Sequence, residues 1–201
     1  MSLGIDRVAY TPIVPGYVAS IVTALEMTQQ PSLRPLPTSQ LQLVRWQKPA
    51  LEKYRALYRR VGEPWLWISR LVMADDELTA IIHDDGVKIW AVTDKAGVEL
   101  GILELDFRAA GQCEIGFFGL VPELNGKGHG RWMMAIALQS AWGHKGVERV
   151  WVHTCTLDAP GALGFYRKSG FTPYQRQVEI FPDPRLTGLM PRDAAPQIPL
   201  I

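Results

Sequence analysis

Phe117-Phe118-Gly119-Leu120-Val121-Pro122-Glu123-Leu124-Asn125-Gly126-Lys127-Gly128-His129-Gly130-Arg131 decides how this chain is read. A strand-like apolar run ends, a short turn carries glycine at every second position, and an apolar-periodic helix begins behind it. Without Cβ atoms, Gly126, Gly128 and Gly130 let backbone N–H groups approach a bulky anion. The helix N-terminus adds unpaired donors and partial positive charge. Lys127 and Arg131 add full charges. These residue types suit a phosphate or pyrophosphate. A Walker A loop needs serine or threonine where Gly128 stands, and a dinucleotide fingerprint starting at Gly126 needs glycine or alanine where Arg131 stands. Taken alone, the stretch also fits a plain strand-to-helix turn.

Working outward, hairpin-type turns at Asp85-Gly86, Lys95-Ala96-Gly97 and Ala109-Ala110-Gly111 punctuate three strands: Val87 to Thr93, Val98 to Phe107 and Gln112 to Leu120. Before them lie a strand from Leu41 to Trp46, a helix from Pro49 to Val61 closed by Gly62, and a helix from Asp75 to His83. After the glycine turn come a helix from Gly130 to about His144, a strand from Val150 to Thr156, a helix from Pro160 to Lys168 and a strand from Phe171 to Ile180. Antiparallel strands followed by strand–helix–strand–helix–strand predict an α+β, sandwich-like fold. Its central sheet is mixed and mostly antiparallel, with helices on both faces. The domain is expected over residues 41–181. Residues 1–40 read as an N-terminal extension with a Pro-rich connector (Pro31, Pro35, Pro37), and residues 182–201 as a Pro-rich C-terminal strap.

The chain has 201 residues, 47% hydrophobic and 20% charged, and a formal charge of +1 from 21 basic and 20 acidic side chains. One globular domain with extensions fits that length. The charge balance gives no polyanion-binding field, so nucleic acid is not the expected partner. Lys53, Arg55, Arg59 and Arg60 read as a solvated helix face. Val14 to Leu25 is broken by Pro15, Gly16, Ser20 and Thr23 and has no basic leader, so neither a signal peptide nor a membrane span is read there. Cys113 and Cys155 read as buried small hydrophobes, and His83, His129, His144 and His153 stand singly, without metal-ligand spacing. No metal is expected, and the cytoplasm is the default location.

A second stretch, Val152-His153-Thr154-Cys155-Thr156-Leu157-Asp158-Ala159-Pro160-Gly161-Ala162-Leu163-Gly164-Phe165-Tyr166-Arg167-Lys168-Ser169-Gly170-Phe171, joins the glycine loop. Together the two motifs resemble the GNAT superfamily of acetyl-coenzyme A-dependent N-acetyltransferases, over about Leu41 to Ile180. The resemblance implies an N-acetyltransferase with acetyl-coenzyme A as donor cosubstrate. It places the pyrophosphate on Asn125, Gly126, Lys127, Gly128, His129, Gly130 and Arg131. The first position departs from the family pattern, since Asn125 is neutral, but a backbone cradle does not depend on it. In such folds the strand before the loop splays from the next one, and the pantetheine arm pairs like an extra strand with the backbone of Phe118, Gly119 and Leu120. Tyr166 occupies the place of the tyrosine near the thioester sulfur. Asp158 stands where the second motif often opens with asparagine, and the resemblance counts it among the cofactor-binding positions. Read from the residues alone, it is an N-cap ahead of Pro160.

The implied reaction is direct attack of a neutral amine on the thioester. Tyr166 is the candidate acid for the thiolate, and core packing against Phe165 and Phe171 is its other reading. Glu114 is the candidate base, directly or through water, with Glu104 and Asp106 as second choices. Simple alternation would put Glu114, Gly116 and Phe118 on one face of their strand. Trp65, Trp67 and Arg70 are candidates for an acceptor wall. The acceptor stays open among a small-molecule amine, an amino acid and a peptide, and a homodimer stays open. A catalytically silent acyl-coenzyme A-binding module is the alternative function.

Overall fold

The computed structural model describes residues 10–32 and 35–201. Its strands are β1 (Tyr17–Met27), β2 (Gln42–Trp46), β3 (Val87–Thr93), β4 (Glu99–Asp106), β5 (Gln112–Leu120), β6 (Arg149–Cys155) and β7 (Thr172–Pro182). The helices are α1 (Leu51–Gly62), α2 (Ser69–Val72), α3 (Asp75–Ile82), α4 (His129–Trp142) and α5 (Ala162–Lys168). The strands form one sheet in the order β2-β3-β4-β5-β6-β1-β7. Every pairing is antiparallel except β5 with β6. The mixed, mostly antiparallel sheet expected from the sequence is therefore present.

The meander β2 to β5 follows from local turn chemistry. Asp94 accepts the N–H groups of Ala96 and Val98, each at 2.9 Å, and Gly97 supplies a φ of 83° that other residues rarely adopt. Helices cover both faces. Tyr54, Leu57, Tyr58 and Val61 of α1 and Leu78 and Ile82 of α3 pack on Ile89, Ala91 and Ile102. On the other face Met133, Ala137 and Ala141 of α4 pack on Leu103, Leu105, Ile115, Val150 and Val152. Burial in this second core pushes the Cys113 thiol pKa up to about 12, as expected of an inert core cysteine.

One stretch departs from the sequence reading. Residues 14–25, set aside with the N-terminal extension, supply most of β1, which lies between β6 and β7 inside the sheet. Pro15 and Gly16 precede the strand rather than interrupt it, and Gly16 turns the chain into it with a φ of 83°. The polar Ser20 and Thr23 are accommodated because both neighbours are strands: Ser20 donates to Glu179 of β7, and Thr23 is buried beside Thr154 and Arg176. Its partners lie far along the chain, so no local turn announces the pairing.

After β7 the chain folds back along the end of the sheet. Met190, Ala194 and Ala195 join a small core with Val18, Leu66 and Phe181. Arg185 organises this segment. It forms a bidentate pair with Asp183 and donates to the carbonyls of Ala194, Ala195, Ile198 and Pro199. Further ties run from Arg59 to the Leu189 carbonyl at 2.7 Å and from Gln197 to the Pro64 carbonyl at 2.6 Å.

Candidate active site

The parallel pairing of β5 with β6 ends at Glu114 opposite Trp151. Beyond that point the strands diverge, leaving one edge of β5 without a neighbour. Val121 donates to the Leu100 carbonyl of the β4 side at 2.9 Å. Because backbone groups alternate along a strand, Phe118 and Leu120 turn their N–H and C=O groups the other way, into the gap. The gap opens into a cleft of about 910 Å³ that reaches both faces of the sheet.

At one end of the cleft lies the glycine turn. Gly126 and Gly128 hold φ of 74° and 86°, so both need glycine for conformation alone. A Cβ at Gly126 would meet no protein atom within 4 Å, and one at Gly128 only the Arg131 guanidinium at 3.6 Å. Among the described residues the amides of Gly126, Gly128, His129 and Gly130 find no acceptor. Lys127 and Arg131 are exposed beside them. The His129 ring turns away and shares a hydrogen bond of 2.9 Å with the Ser39 hydroxyl, leaving its backbone N–H as the group facing the turn. Gly119 serves packing as well: a Cβ there would stand 2.7 Å from Val61 and 2.9 Å from Trp67.

Tyr166, on α5, lines the cleft among Phe118, Phe165 and Phe171, with ring centroids 6.2, 5.6 and 6.1 Å away. Burial, with the Asp158 charge adding to it, raises its pKa far above the ordinary tyrosine value, so the phenol stays protonated. Asp158 is not the expected N-cap. Gly161 holds that position in α5, with no side-chain cap. Instead Asp158 accepts from the Trp67 indole (3.0 Å), the Thr154 hydroxyl (2.7 Å) and the Cys155 N–H (3.0 Å), tying the end of β6 to the loop after α1.

A β-bulge changes the face of Glu114. Phe117 pairs with Glu104 and Ile115 with Leu105, so Gly116 is the extra residue. Alternation resets there, and Glu114 shares the face of Phe117, not that of Phe118. The bulge makes room for a buried carboxylate: a Cβ on Gly116 would come within 3.2 Å of Glu104. Glu104 is fully buried, accepting from Tyr54 at 2.7 Å and Arg70 at 2.6 Å. That network also holds Arg70 out of the cleft, with its guanidinium 5.1 Å over the Phe117 ring. Asp106 is taken by Arg108. Of the three candidate bases only Glu114 lines the cleft.

Facing Glu114 across the gap is His153, with Nδ1 3.6 Å from Oε1. The Glu114 carboxylate raises the His153 pKa above the ordinary value against the effect of burial, and Asp158 and Glu179 add to the rise. Trp65, Trp67, Trp151 and Tyr174 line the cleft, Arg70 does not, and no lysine or arginine does so among the described residues.

The GNAT acetyltransferase family model matches residues 43–171. The chain belongs to that family. Among curated proteins none matches its sequence. Among solved structures, a GCN5-related N-acetyltransferase from Kribbella flavida is similar at TM-score 0.52 and 19% identity, covering 86% of this chain and 63% of that one. An aminoglycoside acetyltransferase from an uncultured soil metagenomic sample, in complex with trehalose, is similar at 0.55 and 18%, covering 71% and 95%. A dodecameric spermidine N-acetyltransferase from Vibrio cholerae is similar at 0.52 and 18%, covering 74% and 97%. A conserved Staphylococcus epidermidis protein of unknown function, at 0.57 and 13%, is also spanned over only 63% of its length. These likenesses concern the fold.

This GNAT chain builds much of its cleft from residues the sequence reading passed over. Trp151 and His153 share one face of β6, and Gln175, Gln177 and Glu179 come from β7, beyond an unrecognised β1. The alternation of Trp151, His153 and Cys155 with the apolar Val150 and Val152 was a usable signal for the β6 pair.

Proposed function

We propose that this GNAT protein is an acetyl-coenzyme A-dependent N-acetyltransferase acting on a primary amine. The observation that carries the reading is the continuity of one path: the amides of Gly126, Gly128, His129 and Gly130, unpaired among the described residues, lead to the unpaired edge of Phe118 and Leu120, and then to Tyr166. In that reading Asn125, Gly126, Lys127, Gly128, His129, Gly130 and Arg131 bind the pyrophosphate, mainly through backbone N–H groups and the α4 N-terminus. Phe118, Gly119 and Leu120 pair with the pantetheine amides, and the Leu120 N–H is a donor for the carbonyl oxygen as charge develops. Asp158 keeps Trp67 and the β6 end in place around this arm. The thioester supplies an activated acyl group. Tyr166, held protonated by burial, gives its proton to the departing sulfur. Glu114 is the carboxylate that takes charge of the acceptor's proton.

The acceptor side suits a cation. Glu114, Asp158 and Glu179 line it, with Trp65, Trp67, Trp151 and Tyr174 as aromatic walls and, among the described residues, no basic side chain other than histidine. Small amines, amino acids and peptide N-termini carry the charge such a lining favours. The names of two structural neighbours, an aminoglycoside and a spermidine acetyltransferase, support the same class.

The test is release of free thiol from acetyl-coenzyme A in the presence of a panel of amines. A thermal-shift comparison with ATP and NAD should run beside it. Saturation at a hundredfold excess over Kd stabilises by about 2.7 kcal/mol. Turnover with at least one amine, and a shift confined to coenzyme A species, is expected. Binding without turnover by any amine would instead indicate a silent acyl-coenzyme A module.

A further inference from the structure

We propose that His153 is the group that takes the acceptor's proton, with Glu114 as the positioning carboxylate behind it. This rests on the transferase reading above and refines the base step of that reading.

Three observations point to His153. Its place in the sheet is the first. Trp151 is the last β6 residue paired with β5, so His153 lies two residues on, where the strands begin to part. Second, the Gly116 bulge turns Glu114 to the face it shares with Phe117, which brings Oε1 to 3.6 Å from His153 Nδ1. That spacing is longer than a hydrogen bond and suits a charge pair once the ring is protonated. The third is access. The His153 side chain keeps 49% of its exposure and Glu114 only 27%, and Nε2 of the ring has no protein partner among the described residues. The more open group is the histidine.

The surroundings are consistent with a ring that gains a proton during turnover. Facing it are Glu114 from β5, Glu179 from β7 and Asp158 from the turn after β6. Asp158 is occupied by Trp67, Thr154 and Cys155, and Glu179 accepts from Ser20. Cys155, with a raised pKa, contributes no charge, and the facing β1 residue is Ala24. Among the described residues no lysine or arginine lines the cleft to oppose a histidinium. In the step itself the amine, its extra proton already lost to solvent, bonds through nitrogen to the carbonyl carbon and the carbon–sulfur bond breaks. The proton from nitrogen goes to His153 Nε2, and the Tyr166 proton goes to sulfur. The products are an amide and a free thiol. Histidinium then returns one proton to tyrosinate through water, which closes the balance.

The experiment pairs a ring titration with rate profiles on the full chain. The His153 ring resonance, assigned by its disappearance in His153→Asn, should titrate at higher pH in wild type than in Glu114→Gln. In kcat/KM profiles with one competent amine, His153→Asn should lose about 10²-fold at neutral pH with acetyl-coenzyme A affinity unchanged. Added imidazole should restore part of the rate to His153→Ala, and Glu114→Gln should move the rising limb to lower pH. Profiles of His153→Asn and wild type that run parallel would overturn the proposal while leaving the transferase reading intact. So would a Glu114→Gln loss that grows toward low pH with the ring titration unmoved, since Glu114 would then be the base. Absence of turnover with every amine would sink both.

Discussion

The two sides of the cleft differ in where their polar groups are spent. On the glycine-loop side, the amides of Gly126, Gly128, His129 and Gly130 and the edge of Phe118 and Leu120 are backbone groups without partners among the described residues. On the opposite side several polar side chains are already engaged within the protein. Trp67 donates to Asp158, Tyr58 shares a hydrogen bond with Ser69, and Arg70 and Tyr54 close on Glu104. Leu66 is held there at a φ of 54° although it is not glycine. One side presents open main-chain groups. The other is a wall of interlocked side chains with a few open groups, Glu114 and His153 among them. A common donor can be bound by backbone alone, whereas a particular acceptor needs a preformed surface.

The wall depends on the C-terminal segment, so Arg185→Ala is expected to break it most severely. Asp183 and Arg185 are 3% and 2% exposed, and removing one partner of such a pair typically costs about 3–5 kcal/mol. For a chain of this size that lowers Tm by about 6–20 °C, read by thermal unfolding. The Asp183 pKa is depressed, chiefly by its hydrogen bond from Arg185. The clamp therefore contributes fully above the ordinary carboxylate range and weakens as pH falls through the depressed value. Unchanged Tm in Arg185→Ala would mean that the wall stands without the tail.

Tyr166→Phe sharpens the comparison from the donor side. It removes one hydroxyl from a ring already packed by Phe118, Phe165 and Phe171, so folding and acetyl-coenzyme A affinity should hold. The expected loss in kcat is roughly 10²–10⁴-fold, measured where chemistry limits the rate. A loss below about threefold would assign Tyr166 to packing, since positioned acid catalysis is worth far more.

The smallest effect belongs to the pair across the gap. His153 has a raised pKa in the folded protein, so its attraction to Glu114 adds stability that is whole below the ordinary histidine value of 6.5. That contribution is lost as pH rises through the raised value. Both groups are partly exposed, and such pairs are worth about 0–1 kcal/mol. The Tm difference between wild type and Glu114→Gln should therefore be small even below the ordinary histidine value and vanish once the pH has risen through the raised one. A difference that grows with pH would contradict the pairing.

How much of this was legible follows from where each feature is encoded. The meander and the glycine turn are written in adjacent residues: turn chemistry at Asp94 to Gly97, and glycines at two positions that require positive φ. β1 was not legible, because its partners come from the other end of the chain and its prolyl entry resembles a loop. The face of Glu114 was misread for a similar reason. A bulge at Gly116 is a response to the buried Glu104–Arg70–Tyr54 network, and nothing beside Glu114 in sequence announces it. Asp158 looked like a cap because Pro160 follows closely. Its true partner, the Trp67 indole, is supplied by a loop far away along the chain.

The most direct test of the central claim is titration calorimetry of acetyl-coenzyme A into wild type, Gly128→Ala and Gly97→Ala. Gly97, in a remote turn, has a φ of 83° against 86° at Gly128, and a Cβ would meet nothing within 4 Å there and only the Arg131 guanidinium, at 3.6 Å, at Gly128, so the two substitutions impose similar backbone strain. Binding by wild type and Gly97→Ala, with affinity weakened by at least about tenfold in Gly128→Ala, is the predicted result. Equal affinity in all three proteins, or no binding by wild type, would contradict the assignment of the glycine turn as the cofactor's cradle.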